Sequence, residues 1–289
     1  ISGVGFQPDF VWLKQRNGTN YHTIVDSSRG ATKRLFTNAN EDESTDADSL
    51  QAFESDGFQV GTTGSMNGNN NTFVAWNWLS NGGTTSTNND GDIASTVQVN
   101  TTAGFSIVTF TANGSSTDTV GHGLSKQLSM VLIKSRAADR SWHIGHKNLP
   151  FNSASNSHNG YLSLDTNAAN APDNGGRANI PNATTFQGEG TDTNTLVAYC
   201  FHEVDGYSKF GKYTGNGDAD GTFVYTGFRP AWVMVKRTDA TNNWVINDTT
   251  RAPFNEITGG SSTLYADTTN KESCLLYTST SPRDNKASR

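Results

Sequence analysis

His143 and His146, in Trp142-His-Ile-Gly-His146, have the spacing at which a helix turns two imidazoles toward one metal ion. The residues around them read as a strand, where positions i and i+3 face opposite sides, so the pair cannot share an ion. His22, His122, His158 and His202 are scattered and form no second ligand group. Asn88-Asn-Asp-Gly-Asp92 and Asn216-Gly-Asp-Ala-Asp-Gly221 put carboxylates at alternate positions, a pattern a hard cation such as calcium could use. Neither continues to the bidentate Glu of a helix–loop–helix site, and both read as turns. There is no Gly-x-Ser-x-Gly elbow, no Gly-x-x-x-x-Gly-Lys-Ser/Thr loop and no His-Glu-x-x-His. Glycoside cleavage needs two carboxylates flanking one bond, and no Glu-x-Asp-x-Glu strand occurs. The acidic run Glu41–Asp48 reads as solvated surface. No catalytic residue, metal ligand, cofactor site or defined ligand-binding residue emerges, and an enzyme is not expected.

Three lysines recur at matching places, as do Trp142 and Trp244. Lys14, Lys134 and Lys236 each end an apolar run, where a charge could contact ligand or stop edge pairing. The second reading is favoured, because repeated positions report repeated geometry. Trp12, Trp142, Trp232 and Trp244 could stack on sugar rings, but their strand positions favour core packing.

These residues belong to an internal repeat. Ser106 and Ser208, Lys134 and Lys236, and Trp142 and Trp244 are all 102 residues apart. Phe105–Gly114 lines up with Tyr207–Asn216, and Met130-Val-Leu-Ile-Lys134 with Trp232-Val-Met-Val-Lys236. Gly5-Phe-Gln-Pro-Asp-Phe-Val-Trp-Leu-Lys14 matches 227–236 without a gap. Asp26 and Asp248 then correspond, as do Arg29 and Arg251. Phe73-Val-Ala-Trp-Asn-Trp78 and Leu196-Val-Ala-Tyr-Cys-Phe201 close the first two copies. Short runs apolar on both faces suit central strands, and the polar turns between them suit hairpins.

Composition agrees with an all-β chain. Of 289 residues 33% are hydrophobic and 17% charged, with 29 Gly, while aromatics at 10% argue against disorder. A net charge of -6 without a basic run argues against nucleic acid or anionic membrane as partner. No run approaches 18 apolar residues. Cys200 lies in an apolar strand and Cys274 stands far away, which gives no disulfide framework. Asn17, Asn71, Asn100, Asn113, Asn182 and Asn247 open Asn-x-Ser/Thr triplets that a chain this rich in Asn, Ser and Thr produces by composition.

The expected architecture is a tandem array of antiparallel β-sandwich repeats, concanavalin- or jelly-roll-like, with long polar loops. Repeat 1 spans 1–80, a Gly/Ser/Thr/Asn-rich linker with a short strand near Ile93–Val99 spans 81–101, repeat 2 spans 102–205, and a shortened repeat 3 spans 206–273. Carboxylates at 41–48 could start one helical turn at Leu50–Phe53. Residues 274–284 resemble a translated sequencing adapter, so 274–289 is set aside as a non-native tail.

The runs Gly5–Lys14, Arg29-Gly30, Asp56-Gly-Phe58, Phe73–Trp76, Asp92–Val97, Ala103–Val108, His122-Gly-Leu124 and Tyr207–Phe210 together resemble a repeat family of tailed-phage genomes, marine phages especially. The resemblance covers residue 1 to about 273. It implies a virion structural protein with lectin-like sandwich modules, in a tail fibre or neighbouring tail part, and it assigns no catalytic residues. Expected partners are other virion tail proteins and host cell-surface glycans, with assembly as a homo-oligomer on the phage particle. The rival readings are a secreted bacterial adhesin or carbohydrate-binding repeat, and a fragment of a capsule depolymerase.

Overall fold

The structure is a computed structural model that describes residues 1–149, 151–152, 157–158, 160–171, 178–180, 182–188, 193–218, 220–252 and 262–272. The proposed non-native tail lies outside the described residues. The first unit holds β1 (Phe10–Gln15), β2 (Thr23–Asp26), β3 (Lys33–Phe36), β4 (Ser44–Thr45), β5 (Leu50–Glu54), β6 (Gly57–Val60), a one-turn helix α1 (Gly64–Asn67) and β7 (Phe73–Trp78). The second holds β8 (Ser86–Asn88), β9 (Ser95–Asn100), β10 (Phe105–Thr111), β11 (Thr119–Gly121), β12 (Met130–Ser135) and β13 (His143–His146). It continues with β14 (Phe151–Asn152), β15 (Ser157–His158), β16 (Leu162–Ser163), β17 (Thr185–Gln187) and β18 (Thr195–Phe201). The third holds β19 (Trp232–Val235), β20 (Val245–Asp248) and β21 (Leu264–Tyr265).

The chain is nearly all β, and its named strands pair antiparallel. Three sheets dominate, in the orders β4-β3-β2-β1-β7, β16-β13-β12-β18-β10-β9-β8 and β19-β20-β21. Their leading hairpins share one register: Trp12 lies opposite Ile24, Leu132 opposite Ile144 and Met234 opposite Ile246. The closing strand adds to the other edge of the hairpin in two units, with Trp76 opposite Trp12 and Tyr199 opposite Leu132.

Both faces of these strands are apolar because both are covered. One face of every sheet turns inward to a single cluster. It takes Phe10, Trp12 and Ile24 from the first unit, Leu132, Trp142 and Tyr199 from the second, and Trp244, Ile246 and Leu264 from the third. The opposite faces are covered separately, which gives a sandwich-like second layer. In the first unit the β5–β6 hairpin and α1 bring Leu50, Phe58 and Met66 over Val11, Leu13 and Val25. In the second, Val120, Leu124, Ile180 and Phe186 lie over Val108, Val131, Ile133 and Cys200. Each of these fully buried Leu, Ile or Phe side chains contributes about 1.5–3 kcal/mol.

Several expectations are corrected here. The units do not close as separate sandwiches strung in a row, since one cluster draws on all three. The short strand expected near Ile93–Val99 is β9, but its segment, 81–101, is not a free linker, since β8 and β9 extend the seven-stranded sheet beside β10. Residues 50–54 form β5 and not a helical turn, because Leu50 and Phe53 pack on the β1–β2 face and the chain reverses directly into β6. The segment 207–216, aligned with β10, is not a strand beyond a single bridge of Ser208 to Val204. β10 is sandwiched between β9 and β18, and no closing strand is present beside 207–216 among the described residues.

Gly145 shows how closely the second layer approaches. It sits in β13, and a Cβ there would stand 1.8 Å from the Ala178 carbonyl oxygen. Val25 and Asn247 occupy the same register in the other two hairpins. Gly145→Val should therefore lower stability by about 1–3 kcal/mol through overpacking. Urea denaturation checks it, and an unchanged midpoint would show that the 178–180 segment does not press on β13.

Candidate functional site

The recurring lysines are bridges between units, buried at Lys14 and Lys134 and half-buried at Lys236. The Lys14 ammonium donates to the Gly18 and Asn20 carbonyls of its own hairpin loop, at 3.0 and 2.9 Å, and to the Thr269 carbonyl of the third unit at 3.2 Å. Lys134 donates to Arg140 in its own loop at 2.7 Å and to Asn40 of the first unit at 3.0 Å. Lys236 donates to Asn167 of the second unit at 3.3 Å. Carbonyls 40, 167 and 269 each lie four residues beyond the third strand's last paired residue, Phe36, Ser163 and Tyr265. Each unit thus reaches the one before it, and the first reaches the third. The contacts close a ring.

Other groups repeat the same circuit. Backbone bonds run from Glu43 N to Arg136 O, from Asn170 N to Thr238 O and from Glu272 N to Arg16 O. Trp142 Nε1 donates to the Phe36 carbonyl at 2.8 Å, and Trp244 Nε1 to the Ser163 carbonyl at 2.8 Å. His22 holds the matching place in the first unit. Its Nδ1 accepts from Trp12 Nε1, and the ring faces the Tyr265 carbonyl, although Nε2 does not close a full hydrogen bond. Burial first, then Lys14 and Arg251, hold its pKa well below the ordinary value, so the ring is neutral.

Carboxylates complete two of the three joints. Arg29 grips Asp26, with Nε donating at 2.5 Å, and Arg251 grips Asp248 in the same way at 2.6 Å. The closing strand of a neighbouring unit also donates to each: Tyr199 Oη to Asp26 at 2.6 Å and Trp76 Nε1 to Asp248 at 3.1 Å. Burial disfavours the Asp248 charge, but Arg251 and Trp76 outweigh it and hold the carboxyl below its usual range. Glu43, expected on a solvated surface, is instead clamped between Arg29 and Arg136 at 3.0 and 2.9 Å. Burial opposes its charge, and these two arginines keep it ionised. Glu272 occupies the corresponding place between Arg16 and Arg251. At the third joint His146 and Leu149 stand where the other units have Asp and Arg.

The remaining candidates are dispersed. His143 meets Tyr161 edge-on, whereas His146 packs near Phe210. His158 lies in β15. Burial lowers His122 to about 4. Cys200 is wholly buried, and burial pushes its thiol up. The loops at Asn88 and Asn216 are tied by their own side-chain-to-backbone bonds. Trp12, Trp142 and Trp244 are buried in the shared cluster, and Trp232 is half-buried against it.

Two shallow depressions lie elsewhere, around residues 202–209. One of about 360 Å³ is lined by Lys126, Gln127, Ser129, Lys147, His202 and Glu203, and a second of about 280 Å³ by Asp205, Ser208, Lys209, Tyr225 and Thr226. Glu203 stands between Lys147 at 2.7 Å and Lys209 at 3.5 Å and accepts the Phe210 N–H. Burial works against its charge, but Lys147 and the Phe210 N–H hold it below the usual carboxylate range. Tyr225 lines the second depression and is 77% exposed, and Tyr207 is an exposed neighbour of Gly206 and Ser208 in the same stretch. Ammonium, carboxylate and hydroxyl groups next to open aromatic faces suit a polyhydroxylated ligand, with donors and acceptors for hydroxyls and ring faces for stacking. No sequence motif marks this surface, because its parts come from four separate stretches.

Fold and surface together define a non-covalently closed, three-unit β protein with a polar, aromatic-edged depression. The chain belongs to the family of the domain of unknown function DUF7483, whose family model matches residues 1–279. No curated protein and no solved structure matches it.

Lys14 offers a direct test of the ring. Lys14→Met leaves three carbonyls without their donor and should cost about 2–4 kcal/mol at neutral pH. Burial draws the Lys14 pKa down from 10.5 to about 8, so between these values the unfolded chain binds more protons than the folded one. The pH-dependent part of the Lys14 contribution is therefore full above pH 10.5 and is lost as pH falls through 8, where the ammonium's hydrogen bonds remain. The stability gap between wild type and Lys14→Met, read by urea denaturation, should widen from pH 8 to pH 10. A gap that narrows contradicts the assignment.

Proposed function

We propose that this chain is a structural protein of a tailed-phage particle, in a tail fibre or neighbouring tail part, that makes weak, multivalent contact with host cell-surface glycans. The carrying observation is the ring of buried inter-unit contacts, in which the recurring polar side chains hold the units to one another. Lys14 and Lys134, Asp26 and Asp248, and Trp142 and Trp244 all have partners inside the protein. Such a scaffold suits mechanical display. The resemblance of Gly5–Lys14, Phe73–Trp76 and Ala103–Val108 to phage repeat proteins supports the location. The depression beside Glu203 and Tyr225 supports the glycan contact. A shallow polar site of this kind binds weakly alone, and several copies on one particle would supply avidity.

Glycan-array and whole-cell binding test the reading. Multimerised wild-type protein should bind a subset of surface polysaccharides. Tyr225→Ala and Glu203→Gln should each weaken that binding about tenfold, corresponding to ~1.4 kcal/mol, without shifting the unfolding midpoint. Binding at background level for the wild type removes the glycan role and leaves only the structural one.

A further inference from the structure

The strand edge that is paired in the first two sheets carries no partner in the third among the described residues. β1 carries β2 on one edge and β7 on the other, and β12 carries β13 and β18. β19 carries β20, and no described strand lies on its second edge. Val233 is 40% exposed, whereas Val11 and Val131, at the same register, are 1% and 0% exposed beneath the second layers of their own units. Trp232 and Met234 are half-buried, and Trp232 Nε1 is buried without a partner.

We propose that this edge of β19 is a strand-addition site for an extended segment of a partner polypeptide with the side-chain pattern of β7 and β18. This proposal stands independently of the glycan reading. The other two units specify both the backbone and the side chains of the occupant. Arg16 N donates to Thr72 O, and Arg136 N to Thr195 O, so every second residue of β1 and β12 aims its amide groups at the closing strand. By the same alternation Trp232, Met234 and Lys236 aim theirs at the open edge, while Thr249 N bonds to Ala231 O on the β20 side. In both closing strands Val-Ala precedes an aromatic residue, and that aromatic lies opposite Trp12 or Leu132. Its N–H or O–H then reaches the preceding unit, as Trp76 reaches Asp248 and Tyr199 reaches Asp26. In the third sheet the aromatic would lie opposite Met234 and be directed at the His146 side of the second unit. The occupant is thus an extended Val-Ala-aromatic segment whose aromatic residue carries a hydrogen-bond donor. Main-chain pairing gives such additions their affinity, and alternate side chains give them specificity.

A fluorescent, lysine-flanked peptide of sequence Phe-Val-Ala-Trp-Asn-Trp, that of residues 73–78, tests this on the whole chain by anisotropy. Saturable binding is expected. N-methylation of the Trp that follows Ala blocks pairing with Met234 and should weaken binding at least tenfold. A photo-crosslinker on the peptide should label residues 232–236. No saturable binding, equal binding of the N-methylated peptide, or labelling confined to residues 10–15, the partner strand of β7, overturns the proposal. Binding that appears only after residues 273–289 are removed assigns the edge to the chain's own tail and overturns the assignment to a partner.

Discussion

The inner face of each large sheet is apolar and has no second layer within its own unit. Phe10 and Trp12, Leu132 and Tyr199, and Ile246 and Leu264 meet only where the three faces converge. A unit on its own would leave this face in water, and the burial that offsets chain entropy comes from the other two. Every polar contact between units follows from that convergence. Once three hairpins of one register face one centre, the end of each third strand lies beside the next unit's first hairpin. Its carbonyls must then find donors. Lys14, Lys134, Trp142 and Trp244 are those donors.

A buried ammonium is costly, since removing an ion from water costs several kcal/mol. Three charge-assisted bonds at about 1.5–3 kcal/mol each offset part of that cost. A Lys14 pKa of about 8 agrees with this balance: the group is stressed by burial, yet still charged at neutral pH. The joints are not identical. Two are fastened by Asp–Arg pairs extended by a glutamate, through Asp26, Arg29 and Glu43 and through Asp248, Arg251 and Glu272. The joint at His146 and Leu149 replaces this ion pair with apolar packing, Leu149 being buried in the shared cluster. That joint also borders the sheet that lacks a described closing strand.

Much of the strand framework was legible in the sequence. Phe10–Lys14, Met130–Lys134 and Trp232–Lys236 announced themselves by β-branched and aromatic residues on both faces and by one spacing. The closure of the units on one another was not. Lysine is rarely buried, so a lysine ending an apolar run reads as a solvent-facing stop. Only the convergence of the three sheets shows that it points into a joint. Glu43 was misread for a related reason, because an acidic run gives no sign that one member meets arginines 14 and 93 positions away. In 81–101 Thr, Ser and Asn dominate and read as a linker, with only Ile93–Val99 marked as strand. The pairing of β9 with β10, and of β8 with β9, is what composition does not record. Leu50–Glu54 was drawn toward helix by the carboxylates before it, a local preference that the β6 pairing overrides.

The central claim is that the three units share one interior and form one cooperative body. Hydrogen exchange across an equilibrium urea series, followed separately for the β1–β2, β12–β13 and β19–β20 hairpins, tests it most directly. Amides of all three should lose protection at the same urea concentration, coincident with loss of the near-ultraviolet tryptophan signal. Three hairpins opening at separate midpoints, each leaving the others protected, would contradict the account.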